Sequence, residues 1–127
     1  MKLSVLPAIT LAAATASYAG DSVPVQVGSI PEMDACTSTG LVTGLRTSLL
    51  ALRSGPGVTY RQIDHLANGQ ELFLCSVSPD GKWHGVVYSS GRTVDCGVSS
   101  PVNSVGPYHG PCKSGWVSAR WIKVTAG

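Results

Sequence analysis

Four cysteines, three histidines and seven carboxylates are the side chains with which this 127-residue chain could do chemistry. The cysteines, Cys36, Cys75, Cys96 and Cys112, show no Cys-x-x-Cys spacing, and no His-x-x-x-His accompanies them, so zinc ligation is disfavoured. An even count in a small chain reads instead as two disulfides, with three pairings open. An oxidised cysteine is no nucleophile. His65, His84 and His109 are well separated, and no Gly-x-Ser-x-Gly elbow presents a serine to any of them. Asp64, Glu71, Asp80 and Asp95 fall on separate turns and strand faces, whereas a glycan-cleaving pair needs two carboxyls within roughly 5–10 Å. Gly55-Pro56-Gly57 lacks the Gly-Lys-Ser/Thr of a phosphate cradle. The expectation is a binding protein, not an enzyme, with no cofactor and no metal.

The elements that must position any binding residues centre on Leu50–Tyr60. Apolar residues alternate up to Leu52, then Ser54-Gly55-Pro56-Gly57 breaks the run before Tyr60. Gly55 and Gly57 permit positive φ, and Pro56 holds Gly55 out of the α region, so the loop is rigid. Before it, Met1-Lys2, the apolar run Leu3–Ala16 and Ser17-Tyr18-Ala19 have the form of a cleaved secretory signal. A membrane anchor is the rival, but the run is shorter than the ~20 apolar residues a spanning helix needs. Cleavage would remove Lys2 from nine bases and none of the seven acids, leaving about +1. The remaining bases form no block, so binding of nucleic acid or of an anionic membrane through a basic patch is not expected.

Residues 20–39, broken by Pro24, Gly28 and Pro31, read as an extended arm, tied down at its far end if Cys36 is bridged. Leu41–Leu45 and Ser48–Arg53 read as strand with a glycine bend. Arg61–Leu66 follows, with Ile63 and Leu66 pointing inward, then an Asn68-Gly69 turn. Glu71–Val77 is the clearest strand, with Leu72 and Leu74 on one face and Phe73, Cys75 and Val77 on the other. Ser78-Pro79-Asp80-Gly81 is a tight turn and Lys82–Tyr88 the return strand, giving an antiparallel hairpin. Ser89–Ser114 is a long insert rich in proline and glycine with two cysteines. Gly115–Ser118, a helical turn at Ala119-Arg120, and Trp121–Val124 close the chain. The class is all-β, with five to seven short strands, and a small barrel is favoured because closure removes exposed sheet edges.

Leu-Arg-Ser-Gly-Pro-Gly-x-x-Tyr from Leu52, Leu-x-x-Gly-x-x-Leu-x-Leu from Leu66, Gly-Lys-Trp-x-x-Val from Gly81 and Gly-Trp-Val-x-x-x-Trp-Ile from Gly115 together resemble a bacterial SH3 (Src-homology-3-like) domain. The resemblance spans about Gly44 to Val124, interrupted by the insert, and places the domain at residues 40–127. It implies an SH3-like β-barrel, found outside the cytoplasm, that binds peptidoglycan peptide or a protein segment. The cysteines and the insert depart from the family's common pattern.

With the hairpin of that fold, Cys75 lies near the tight-turn end while the insert leaves from the opposite end, on the order of 15–20 Å away at ~3.3 Å per residue. A disulfide spans only ~4.4–6.8 Å between Cα atoms, so Cys36–Cys75 and Cys96–Cys112 is the economical pairing, unless the insert folds back. The resemblance also gathers Tyr60, Trp83 and Trp121 where loops converge, as an aromatic-lined groove for an extended peptide. Trp116 reads as core. Tyr60 and Tyr108 read as exposed, and Arg53 and Asp64 either meet a peptide end or pair with each other. Tyr108, His109 and Asn103 in the insert are displayed surface for a partner or a cap on the barrel's open end. The expected protein is a periplasmic or secreted binding module; a structural or inhibitory factor acting through the Cys96–Cys112 loop is the alternative.

Overall fold

The computed structural model describes Ser4, residues 21–91 and residues 94–127; apart from Ser4, the expected leader at residues 1–19 lies outside these. Nine strands follow in chain order: β1 Gln26–Val27, β2 Ser38–Val42, β3 Leu50–Arg53, β4 Gln62–Leu66, β5 Glu71–Val77, β6 Trp83–Tyr88, β7 Gly106–Pro107, β8 Lys113–Ser118 and β9 Ile122–Ala126. A 3-10 turn, Ala119–Trp121, links the last two, and no α-helix occurs among the described residues. None of their helical segments is long and apolar enough to cross a membrane.

The hairpin forms as the alternation dictates. Val86 and Val87 of β6 face Leu74 and Phe73 of β5, and the register then slips between Leu74 and Ser76, leaving Cys75 as the extra residue. Ser78 ties the turn: its hydroxyl donates to Asp80 and accepts from the Trp83 amide, 3.1 Å away. Asp80 also accepts from the Lys82 amide at 2.9 Å, which with the Ser78 hydroxyl holds its carboxyl below the ordinary value.

Seven strands make one antiparallel sheet in the order β4-β3-β8-β6-β5-β2-β9, and β1 pairs with β7 separately. No ladder joins β4 to β9, so the sheet is not the closed barrel expected. It nevertheless curls around one core. Val42, Leu50, Leu52, Leu66, Leu72, Leu74, Val86, Tyr88 and Val117, drawn from six of its strands, are buried together, and Leu45, Trp121 and Ile122 pack against them. Apolar side chains supply the cover without a closing ladder, since Leu45, Trp121 and Ile122 pack on the core, while the Thr43 amide extends the β2–β9 pairing to the Trp121 carbonyl at 2.8 Å. Ile63 is exposed, against the expectation, while Leu66 is buried. Residues three apart on a strand face opposite sides, and it is Asp64 that shares Leu66's face.

A second cluster lies across the sheet. Val27, Ala35, Cys36, Val87, Cys96 and Val98 are buried there, with Phe73, Cys75, Tyr108 and Cys112 against them. Arm and insert build it jointly. The Ala35 and Cys36 amides donate to Ser100 and Val98 at 2.9 and 3.1 Å, and the Tyr108 amide to Val25 at 2.9 Å. Trp116 is buried, as expected, and its indole N–H donates to the Val23 carbonyl at 2.8 Å. The disulfides are Cys36–Cys75 and Cys96–Cys112, with Cα separations of 4.2 and 5.3 Å. The insert does fold back over the sheet, yet the economical pairing stands, because Cys75 is claimed by the arm.

Candidate functional site

The Leu50–Tyr60 loop is held by bonds within it, by Arg61 just after it and by the arm, whose Val23 amide donates to the Ser54 carbonyl at 2.7 Å. Arg53 Nη1 donates to the Tyr60 carbonyl at 2.9 Å, the Ser54 amide to Arg61 at 2.9 Å and the Tyr60 amide to Gly57 at 3.2 Å. Neither Gly55 nor Gly57 adopts positive φ. Gly55 is needed for space instead, since a methyl group there would overlap the Tyr60 ring. Tyr60 is accordingly half-buried.

Asp64 does not pair with Arg53. Its Oδ2 accepts from the Tyr88 hydroxyl at 2.6 Å and from Lys113 Nζ at 3.3 Å, and its Oδ1 from the His65 amide at 2.8 Å. The Tyr88 hydrogen bond, the His65 amide and Lys113 hold the Asp64 carboxyl below its ordinary value. Burial, then the adjoining carboxylate, pushes the Tyr88 hydroxyl well above its own. The cluster is structural: every oxygen faces a donor of the chain itself.

Trp83 is half-buried at the start of β6, opposite Ser118 of β8. Trp121 is half-buried on the main core, with the Arg120 guanidinium 4.9 Å from the centre of its ring. Tyr108 is not displayed. Its hydroxyl donates to the Cys96 carbonyl at 2.7 Å and accepts from the Cys112 amide at 3.1 Å, spanning the disulfide from inside the insert. His109 and Asn103 are exposed.

A broad concavity lies elsewhere. A cleft of about 690 Å³ runs between β2 and β5 on one side and the root of the insert on the other, lined among others by Leu41, Glu71, Phe73, Val94 and Cys96. None of Arg53, Tyr60, Asp64, Trp83, Tyr108 and Trp121 borders it. The one sequence signal for it was Phe73, an aromatic on the face of β5 opposite Leu72 and Leu74. A smaller cavity of about 220 Å³ is lined by Ile30, Leu74, Val77, His84 and Val124 among others. Among the described residues His84 Nδ1 alone is a buried side-chain nitrogen or oxygen without a hydrogen-bond partner, and burial pushes this histidine's pKa down. No group of three or more His, Cys, Asp or Glu side chains among the described residues is placed to hold a metal ion.

Compared with family models, with curated proteins and with solved structures, the chain finds no match in any of the three.

Proposed function

We propose that this chain is an exported, non-catalytic binding domain of bacterial SH3-like kind, with its sheet left open, which holds an extended peptide of the cell wall or of another protein in the cleft between β5 and the insert. One observation carries the reading. The cleft offers a strand-walled trough with the aromatic Phe73 in it, and its far wall is pinned through Cys96, a lining residue that is half of a disulfide. Such a preformed wall lowers the ordering cost of binding. Two disulfides in a small chain support export to an oxidising compartment, periplasmic or extracellular. The four spaced motifs support the family.

The groove of Tyr60, Trp83 and Trp121 gives way to the cleft here, because the Tyr60 and Trp121 rings pack on their own chain. Pelleting with purified peptidoglycan tests the reading. Thr39→Trp, which fills the cleft from β2, is expected to abolish pelleting with circular dichroism unchanged, and Tyr60→Ala to retain it. Pelleting that survives Thr39→Trp refutes the assignment.

A second reading rests on the insert's tip, where Val102 and Val105 are 39% and 59% exposed beside Asn103 and His109. There the protein acts on a partner through the Cys96–Cys112 loop. Val105→Asp with His109→Ala should then abolish partner binding while wall binding persists.

A further inference from the structure

We propose that β9 is the docking edge for a second copy of this chain, the two β9 strands pairing antiparallel about Val124 into one continuous sheet. β9 ends the sheet and pairs with β2 alone. The backbone bonds show which way its polar groups point. Val42 spends its amide on the Gln70 carbonyl and its carbonyl on the Gly69 amide, both on the β5 side, and the Thr43 amide turns the other way to Trp121. Alternation then directs Leu41, with Lys123 opposite it, into the β2–β9 ladder and turns Val124 outward. The Val124 N–H and C=O meet no donor or acceptor among the described residues. A strand edge left in this state is a template for another strand.

The side chains agree with the backbone. Val124 shares a face of β9 with Ile122, which packs on the main core, yet Val124 itself is 54% exposed. Ile30 and Val77, 50% and 58% exposed, line the small cavity with it. An aliphatic on the inner face of a sheet is covered where a further strand follows, and after β9 none does. A second copy fits because the pairing is self-complementary. Antiparallel pairing about a two-fold axis sets Val124 against its own counterpart, and since each turns both N–H and C=O outward, the pair exchanges two hydrogen bonds. The two valines then lie side by side on the inner face. Lys123 falls opposite Thr125 and not opposite itself, and it is in register with Glu71 across Leu41, so no like charges stand directly opposed across the seam. Pairing β9 with β4, the sheet's other edge, would be head-to-tail and would continue from copy to copy.

The edge is short, so the dimer is expected to be weak and transient. Sedimentation of the full protein from about 10 μM to about 1 mM, a range that brackets weak association, should show a monomer giving way to a dimer and to nothing larger. Amide exchange followed by NMR should slow several-fold at Val124 in the concentrated sample and stay unchanged at Lys123, whose amide the ladder already holds. Val124→Pro removes an amide that points outward and so leaves the β2 ladder its hydrogen bonds; it is expected to abolish the dimer with circular dichroism unchanged. Should proline disturb the strand, Val124→Lys sets two ammonium groups against each other at the seam and should raise the Kd of the dimer by about fivefold or more. A monomer throughout, a dimer that neither substitution weakens, or growth beyond the dimer overturns the proposal.

Discussion

The Tyr88 hydroxyl donates to the Asp64 carboxylate at 2.6 Å, joining β6 to β4 across two intervening strands of the sheet. Such a bond is possible only if the sheet is curled enough to bring its inner faces together. Tyr88, 1% exposed, is among the largest fully buried side chains, so its one polar atom needs a partner, and Asp64 is that partner. Tyr88→Phe is expected to cost about 1–2 kcal/mol in denaturant unfolding. Because the folded-state pKa of Asp64 is depressed, its contribution is present above the unfolded value near 3.8 and is lost as pH falls through the folded one. Tyr88 is raised, so its contribution holds below pH 10 and is lost at more alkaline pH. Asp64→Asn should flatten the acid limb of the stability profile; an unchanged limb shows that another carboxylate governs it.

The two disulfides close loops of different length, 39 and 16 residues apart in sequence. Loop-closure entropy then assigns roughly 4 kcal/mol to Cys36–Cys75 and roughly 3 to Cys96–Cys112. Replacing each pair by alanine should lower the unfolding midpoint in that order. Only the second replacement should also impair binding in the cleft, which Cys96 lines. The reverse order would indicate that the unfolded chain is structured around the insert.

Strand positions were legible because both faces of β5 are apolar and its turns carry Pro79, Asp80 and Gly81, local signals that need no distant partner. The arm was not. Gln26–Val27 pairs with Gly106–Pro107, two-residue strands too short to show an alternation and joined only by the fold. Tyr108 was misplaced for the same reason: its hydroxyl is spent on Cys96 and Cys112, an assignment that exists only once that disulfide is closed. The cleft was missed because its walls are mostly backbone and small side chains, which no motif marks.

Gly55 tests whether the loop after β3 is rigid for steric reasons. Its backbone is not in the left-handed region, so alanine costs little conformationally and much by overlap with the Tyr60 ring. Gly55→Ala should therefore destabilise by about 1–3 kcal/mol, the range for overpacking. In Tyr60→Ala the same substitution should be nearly neutral, a coupling that a double-mutant cycle reads directly. Additive effects would show that Gly55 serves backbone freedom and not the close approach of the ring.

His84 is the residue whose burial the fold leaves uncompensated. Its Nδ1 is covered and unpartnered, and such a group carries a desolvation cost of about 1–3 kcal/mol. Phenylalanine fills similar volume without the orphaned nitrogen, so His84→Phe is expected to raise stability at neutral pH by about 1 kcal/mol. The pH dependence has a definite sign. Burial depresses the folded-state pKa below 6.5, so the unfolded chain takes up a proton first. Stability is thus full above pH 6.5 and declines as pH falls through the folded value, a decline that His84→Phe should remove. Urea midpoints of both proteins, measured from pH 7.5 down to 5, decide it: parallel curves would mean that His84 is solvated in solution and that Nδ1 finds a partner there.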